Sequence, residues 1–226
     1  MDDLLVYDIK NAIKNPALYL RELPTVRRKI NHYGHFNETF IRQAYRWMLD
    51  NMWPNTTVID VGAYIGDTAV YFATDRNVSG VYSYEPIPTT FEEAKRTISR
   101  TPVSVRKKIR IFNNAVSGRE TMIRVDPKFM GYGGTSFDER LSTKDGIAIR
   151  SMKLDDILKG KHNVAVKLDC EGEEVEIVKN SSLRGVYMIM MEYHYRDRRM
   201  LQMLREKGFT ATMDGVYICA KRSGSG

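Results

Sequence analysis

The chain has 226 residues, 42% of them hydrophobic, and its 35 lysines and arginines outnumber 28 aspartates and glutamates, which gives a formal net charge of +7. This length and composition suit one domain with a full hydrophobic core and an extension, and no apolar run reaches the roughly 18 residues that a transmembrane helix needs. The chain opens with Met1-Asp2-Asp3, acidic where a signal peptide would be basic, so a cytoplasmic protein is expected.

Two amphipathic stretches precede the first predicted strand and define an N-terminal helical extension, residues 1–54. The first covers residues 4–20, and the second begins near Asn37 or Thr39 and stops before Pro54. These helices either cover one edge of a sheet or form part of a substrate lid, and the sequence leaves both roles open.

The next segment has the pattern of a nucleotide-binding α/β unit. A β-branched run at residues 57–61 breaks at Gly62, and helical spacing resumes after Gly66, which predicts a strand, a tight turn and a helix. A second apolar run, residues 80–84, ends at Glu85, about where such units keep a carboxylate for the ribose hydroxyls. The segment therefore predicts a cofactor that contains adenosine.

The residues of the turn favour one adenosine cofactor over another. Tyr64 stands where a dinucleotide fingerprint has its middle glycine, and Asp67 lies where a pyrophosphate would meet the helix N-terminus. A carboxylate repels phosphate at that position. S-adenosylmethionine has no phosphate, and its sulfonium and ammonium are cations that Asp60 and Asp67 can attract. S-adenosylmethionine therefore fits the turn better than NAD.

Strands and helices go on alternating and predict a Rossmann-like, doubly wound, mostly parallel sheet, in a domain of residues 55–222. Thr89 and Glu92 have the spacing of a capping box for the helix after the second strand. Residues 118–152 interrupt the alternation and predict an inserted β-hairpin. The last two strands predict a closing antiparallel hairpin, and residues 223–226 a flexible tail.

Acidic residues and a histidine follow the fourth and fifth strands of this alternation. Asp169 and Glu171 come after the fourth strand, and Glu192 and His194 come at the end of the fifth. Because open α/β sheets bind ligands at the carboxyl ends of their strands, these four residues are the predicted catalytic set. Histidine has an unperturbed pKa near neutrality, so His194 is the predicted general base for a hydroxyl acceptor.

The acidic residues also allow two other interpretations. Asp169 and Glu192 stand where a metal-dependent enzyme would hold a divalent cation, which is an alternative to a histidine base, but no metal site is assigned. Glu173 and Glu174 open a helix, and we interpret them as charges that favour the helix dipole rather than as catalytic groups.

With these elements in place, the sequence resembles the FkbM family of S-adenosylmethionine-dependent methyltransferases over about residues 55–195. The resemblance is carried by Val58-Ile-Asp-Val-Gly-Ala-Tyr-Ile-Gly-Asp67, Tyr84-Glu85-Pro86, Asn114-Ala115-Val116-Ser117, Leu154-Asp155-Asp156, Val166-Lys167-Leu168-Asp169-Cys170-Glu171-Gly172-Glu173-Glu174 and Glu192-Tyr193-His194. Tyr64 and Glu173 depart from the family pattern, which commonly has asparagine and alanine at these positions.

The resemblance implies where the cofactor binds. It places Gly62 and Gly66 under the methionine part of the cofactor, Asp60 near the ammonium, Glu85 on the ribose hydroxyls and Asn114 near the adenine edge. The full predicted cofactor-binding set is Asp60, Gly62, Ala63, Tyr64, Gly66, Asp67, Glu85, Pro86, Asn114, Ala115 and Asp169.

The predicted function is transfer of a methyl group from S-adenosylmethionine to a hydroxyl on a small molecule, sugar or glycan. An RNA-directed methyltransferase that uses the basic surface is one alternative, and a non-catalytic cofactor-binding module is another. A nucleic acid partner is not favoured, because carboxylates beside the acceptor site repel a phosphate backbone. The segment after the fourth strand also lacks the Asn/Asp-Pro-Pro-aromatic motif of base-amino methyltransferases.

Overall fold

In the computed structural model the described residues are Thr39, 44–125, 147–170, 172–195 and 197–222. Their strands are β1 Thr56–Val61, β2 Val78–Tyr84, β3 Ile109–Phe112, β4 Ala115–Ser117, β5 Met122–Val125, β6 Ile147–Lys153, β7 Val164–Leu168, β8 Val186–Glu192, β9 Thr210–Asp214 and β10 Tyr217–Lys221. Their helices are α1 Arg46–Asp50, α2 Asp67–Ala73, α3 Pro88–Ser99, α4 Val103–Arg106, α5 Leu154–Leu158, α6 Glu174–Asn180 and α7 Arg199–Glu206.

Seven strands form the main sheet, in the order β3-β2-β1-β7-β8-β10-β9. The first five are mutually parallel, and β10 runs antiparallel to both β8 and β9. The order reverses between β1 and β7, which is where an open α/β sheet forms a crevice at the carboxyl ends of its strands. The predicted doubly wound, mostly parallel sheet with a closing antiparallel hairpin is confirmed.

Each face of the sheet is covered by its own buried cluster, one packed on α5, α6 and α7 and the other on α1 and α2. Val58 and Ala165 belong to the second face. Side chains alternate along a strand, so Asp60 and Lys167, two residues further on, point to that same face. These two residues are also opposite each other in the register of β1 and β7. A charged pair therefore lies beneath the layer that holds α1 and α2.

A second, three-stranded sheet has the order β4-β6-β5. Strands β5 and β6 pair antiparallel, as predicted for the inserted hairpin, and the chain between them, residues 126–146, lies outside the described residues. Strand β4 pairs parallel with β6 and was not predicted. Three residues are too few to show a periodic pattern, so the sequence did not reveal this strand.

The start of α3 differs from the prediction. The capping box of Thr89 and Glu92 is wrong, since the helix begins at Pro88 with Ile87 as its N-cap and no capping side-chain hydrogen bond. Proline suits the first helical position because its φ is preset and its missing N–H would be unpaired there. Glu92 instead forms an ion pair with Lys95, with 2.9 Å between Oε1 and Nζ.

The N-terminal extension is described only in part. Helix α1 is the described part of the second predicted helix. Residues 1–38 and 40–43 lie outside the described residues. The predicted tail, residues 223–226, also lies outside them. No helix among the described residues has both the length and the apolar character to cross a bilayer. The cytoplasmic location stays a prediction.

Candidate active site

The turn between β1 and α2 requires glycine at both of its ends. Gly62 has a φ of +79°, and a Cβ there would lie 1.8 Å from the carbonyl oxygen of Asp169, so any side chain would collide with the chain after β7. Gly66 has a φ of +81°, and its Cβ would approach Ala94 to 3.2 Å. Between them, Tyr64 has a φ of +47°. The turn is therefore pressed closely against the neighbouring strand connection and against α3.

Glu85 faces this turn from the end of β2. Its Oε2 accepts a hydrogen bond from the backbone N–H of Tyr64 at 2.9 Å, and its Oε1 accepts one from the N–H of Ile87 at 2.9 Å. Burial raises the pKa of Glu85 to about 7, although the two N–H groups favour the carboxylate. A carboxylate has about four acceptor positions, so these bonds leave room for two more donors.

Asp60 is fully buried at the carboxyl end of β1. Its Oδ2 accepts hydrogen bonds from the hydroxyls of Thr68, at 2.9 Å, and Ser83, at 3.0 Å. Its Oδ1 is 3.4 Å from the Nζ of Lys167 and makes no hydrogen bond to the described residues. The predicted contact of Asp60 with the ammonium of the cofactor stays a prediction, and in this structure the cation beside the carboxylate is Lys167.

Lys167 joins the turn after β1 to the chain after β7. Its Nζ donates to the carbonyl oxygen of Gly62 at 2.6 Å and is 3.3 Å from Oδ2 of Asp169. Burial alone would lower the pKa of Lys167, but the carboxylates of Asp169 and Asp60 outweigh it and raise the pKa, so the ammonium stays charged. Sequence reasoning gave this lysine no role. The available signal was a charged residue in the middle of a buried strand.

Tyr45 is a second residue that sequence reasoning missed. It lies just before α1, is almost fully buried, and its hydroxyl donates to Oδ2 of Asp169 at 3.1 Å. Burial, together with the carboxylates of Asp169 and Glu192, raises the pKa of Tyr45 well above its usual range. Because β7 and β8 pair up to Leu168 and Met191, the residues that follow both strands lie close to each other.

The turn after β7 is held by the helix that follows it. Glu174, the first residue of α6, accepts backbone hydrogen bonds from Cys170 at 2.8 Å and from Gly172 at 2.9 Å. Glu173 accepts a bond from the hydroxyl of Ser117 at 2.6 Å. The interpretation of both glutamates as non-catalytic is consistent with these structural bonds. Glu171, a predicted catalytic residue, lies outside the described residues.

At the end of β8, Glu192 and His194 form a pair. The Nε2 of His194 is 3.3 Å from Oε1 of Glu192, with 54% of the histidine side chain and 20% of the glutamate side chain exposed. Tyr193 between them is buried, and its hydroxyl donates to Asp197 at 3.1 Å. The structure therefore brings Glu192, His194 and Asp169 to the carboxyl edge of two adjacent strands. Within the described ranges, no group of three or more His, Cys, Asp or Glu residues is arranged to hold a metal ion.

The remaining predicted residues lie around the end of β3 and the start of α2. Asn114 is half-buried and its chain neighbour Ala115 is buried, as is Pro86, which follows Glu85 after β2. Asn113, which was not predicted, donates from its amide nitrogen to the carbonyl oxygens of Glu85, at 2.9 Å, and Pro86, at 3.0 Å. This side chain fixes the chain that carries Glu85.

Asp67 is buried at the first position of α2 and accepts a hydrogen bond from the hydroxyl of Thr39 at 2.7 Å. The carboxylate predicted to repel phosphate therefore does lie at the N-terminus of the helix, next to the glycine turn. Its predicted contact with the cofactor stays a prediction.

Comparisons with known proteins agree with this arrangement. Residues 60–211 match the family described as the methyltransferase FkbM domain. Over 159 residues the chain is 29% identical to the hexuronic acid methyltransferase AglP of Haloferax volcanii, an alignment that covers 68% of this chain but only 62% of that protein. This chain thus spans less than two thirds of the length of that relative.

Two solved structures share the fold at low sequence identity. A methyltransferase FkbM from Methylobacillus flagellatus is 14% identical, with a TM-score of 0.51, over 74% of this chain and 43% of that chain. A methyltransferase from Geobacter sulfurreducens is 13% identical, with a TM-score of 0.50, over 80% of this chain and 78% of that chain. At these identities the likeness supports the Rossmann-like fold alone.

Proposed function

This chain belongs to the FkbM methyltransferase family, and from that premise we propose that it transfers a methyl group from S-adenosylmethionine to a hydroxyl of a sugar or related small molecule. The observation that carries the proposal is the carboxylate of Glu85, which faces the Gly62–Gly66 turn and keeps two acceptor positions. A vicinal diol supplies two donors, so the ribose of the cofactor suits this carboxylate.

The turn also suits a cofactor without phosphate. Gly62 has no side chain, so the turn packs directly on the backbone of Asp169 and brings the ends of β1 and β7 together. Asp67, at the N-terminus of α2, opposes a pyrophosphate there. When bound, S-adenosylmethionine would supply an electrophilic methyl group. Glu85, Gly62 and Gly66 would hold it.

The residues at the ends of β7 and β8 would orient the acceptor and take its proton. Methyl transfer depends strongly on alignment, so positioned hydrogen-bond acceptors are the main contribution that a protein can make. Asp169 and Glu192 supply such acceptors for the hydroxyls of a sugar. His194 is half-exposed, and its Nε2 lies 3.3 Å from Oε1 of Glu192, which orients the imidazole. We assign His194 as the general base.

The surroundings of the Asp169 carboxylate argue against a mechanism in which a metal ion assists the transfer. Oδ2 of Asp169 is 3.3 Å from the ammonium of Lys167, and a cation bound to that oxygen would be repelled. We therefore propose a reaction without a metal, in which turnover is unchanged in EDTA. Loss of turnover in EDTA that added Mg²⁺ restores would assign the metal instead.

The proposal of a sugar acceptor is supported by the relative from Haloferax volcanii, whose name describes a hexuronic acid methyltransferase.

The first experiment is calorimetric titration with S-adenosylhomocysteine, for which we expect one site per chain. Glu85→Gln should weaken this binding by roughly tenfold or more, because the amide accepts fewer hydrogen bonds from the ribose. Glu92→Gln, an exposed glutamate on α3, is the matched control and should bind like the wild type.

The acceptor is then identified by transfer of a radiolabelled methyl group to uronic acid glycans, neutral glycans and RNA. We expect label on the glycans and a large loss of transfer in His194→Ala. Failure to bind S-adenosylhomocysteine would refute the proposed cofactor. Label on RNA alone would replace the acceptor class, and full activity of His194→Ala would remove the assigned base.

A further inference from the structure

Two side chains that precede the matched family region reach acidic residues of the candidate site. Thr39 donates its hydroxyl to Oδ2 of Asp67 at 2.7 Å, and Tyr45 donates its hydroxyl to Oδ2 of Asp169 at 3.1 Å. Both donors are at most 3% exposed. Both also lie before residue 60, where the family match begins. Part of the site is therefore built by a segment that the family domain does not include.

The ring of Tyr45 is held firmly by its neighbours. It makes edge-to-face contacts with Phe72, at 5.9 Å between ring centroids, and with Tyr217, at 6.3 Å. The ammonium of Lys167 lies 5.6 Å from the centre of the ring. These contacts come from α2, β10 and β7, three different elements, so the ring and its hydroxyl have a fixed position.

Asp169 is restrained by two donors on one side. Its Oδ2 accepts the bond from Tyr45 and lies 3.3 Å from the ammonium of Lys167, while its backbone N–H donates to the carbonyl oxygen of Val61 at 3.1 Å. The side chain is 27% exposed, so part of the carboxylate faces the open edge of the sheet. Donors that engage one oxygen fix the rotamer and thereby aim the other oxygen.

We infer that Tyr45 is a positioning residue, whose hydroxyl orients the carboxylate of Asp169 toward the methyl acceptor. The segment before the family domain thus completes the acceptor side of the site. This inference rests on the proposed function, because it assigns Asp169 to acceptor binding. It gives the N-terminal segment a role in the active site through one named hydrogen bond.

The test is Tyr45→Phe, which removes the hydroxyl and keeps the ring. The matched control is Tyr187→Phe, which also removes one buried hydroxyl. The hydroxyl of Tyr187 is hydrogen-bonded to Trp53 and Thr56. These contacts lie where β1 and β8 begin, at the opposite end of the strands from the candidate site. We expect kcat of Tyr45→Phe to fall by roughly tenfold, with an unchanged Kd for S-adenosylhomocysteine, while kcat of the control stays at the wild-type value.

A second comparison separates positioning from a structural role. In a background of Asp169→Asn, Tyr45→Phe should cause little further loss of kcat, because the carboxylate that it orients is already gone. Losses of kcat that multiply in the double variant, or a wild-type kcat in Tyr45→Phe, would overturn the inference and leave the proposed function standing.

The inference also has a readout that needs no turnover. If the wild type transfers no methyl group to any acceptor, the proposed function is refuted. Crystal structures of the wild type and of Tyr45→Phe, each with S-adenosylhomocysteine, then still test the role of Tyr45. We expect the side chain of Asp169 to leave its wild-type rotamer in Tyr45→Phe. An unchanged rotamer would refute positioning by Tyr45.

Discussion

Lys167 carries a positive charge in the interior of the protein, and the residues around it explain how that charge is tolerated. An unpaired buried ammonium would be neutralised or would destabilise the fold, whereas here two carboxylates and a carbonyl oxygen surround it. Removing one member of such a buried cluster typically costs about 3–5 kcal/mol. The lysine therefore stabilises the position of Gly62 and Asp169 together, and neither carboxylate beside it is an independent unit.

The close contact between Gly62 and the backbone of Asp169 predicts a large loss of stability when a side chain is added. In Gly62→Ala the new Cβ would meet the carbonyl oxygen of Asp169, so we expect the free energy of unfolding to fall by more than about 4 kcal/mol, or the protein not to fold. Gly160→Ala is the control, because Gly160 also has a positive φ but no atom within 4 Å of its Cβ.

Gly160→Ala should cost only about 1–2 kcal/mol, the conformational penalty alone. Urea denaturation of the two variants measures the difference between collision and backbone strain. Equal losses of stability in both variants would show that the turn can move away from Asp169.

The raised pKa of Glu85 predicts how stability depends on pH. Because the pKa in the folded state, about 7, is above the ordinary value of 4.5, the folded protein binds the proton more tightly than the unfolded chain does. The contribution of Glu85 to stability is thus full below about pH 4.5 and is lost as the pH rises through about 7. The whole effect is on the order of 3 kcal/mol.

Urea denaturation of the cofactor-free protein at several pH values between 4.5 and 8 measures this effect. Glu85→Gln cannot ionise, so its stability relative to the wild type should rise by up to the same amount across this range. Glu92→Gln, at an exposed position, should show no such trend. A constant difference between Glu85→Gln and wild type across the range would show that burial does not shift Glu85 as described.

Among the secondary-structure elements, two strand–turn–helix units meet at the site. The turn after β1 packs against the turn after β7, and α6 holds the second turn through the carboxylate of Glu174. Glu174 and Glu176 lie in the first turn of α6, where their charges favour the helix dipole, and Glu174 also orders the loop that follows Asp169.

Glu174→Ala should release that loop while leaving the strands intact. The variant loses the acceptor for the N–H groups of Cys170 and Gly172, so we expect a loss of about 1–3 kcal/mol in the free energy of unfolding and weaker methyl transfer. Glu206→Ala, at the exposed end of α7, is the matched control and should stay within about 0.5 kcal/mol of the wild type. Equal stability and activity in Glu174→Ala would show that the loop is ordered by other contacts.

The elements also show where local patterns fail as predictors. The helix of α3 was predicted, but its capping box was wrong, because the helix begins at Pro88, two residues earlier than the pattern of Thr89 and Glu92 requires. Strand β4 was missed because it has three residues and depends on pairing with β6, more than 30 positions later in the chain. Both features depend on neighbours that a short sequence window does not contain.

For the whole molecule, the net charge of +7 raises the question of a polyanionic partner. We expect binding to an RNA oligonucleotide to be non-specific and to weaken steeply between about 50 and 200 mM salt, as it does when dispersed charges contact phosphates. Filter binding over this range measures it, with S-adenosylhomocysteine affinity in the same buffers as the control. Tight RNA binding that persists at 200 mM salt would favour the RNA-directed alternative.

The sequence by itself determined the order of the main-sheet strands, the glycine turn and the acid at the end of β2, because hydrophobic periodicity and turn chemistry act over a few neighbouring residues. It also led to the family through motifs that stand at the carboxyl ends of the strands. The contact of Tyr45 with Asp169 joins residues 124 positions apart. The contact of Lys167 with Asp60 depends on the register of β1 and β7. Only the tertiary structure decided these contacts, because they form when one buried layer packs on another, and no local pattern encodes which side chains then meet.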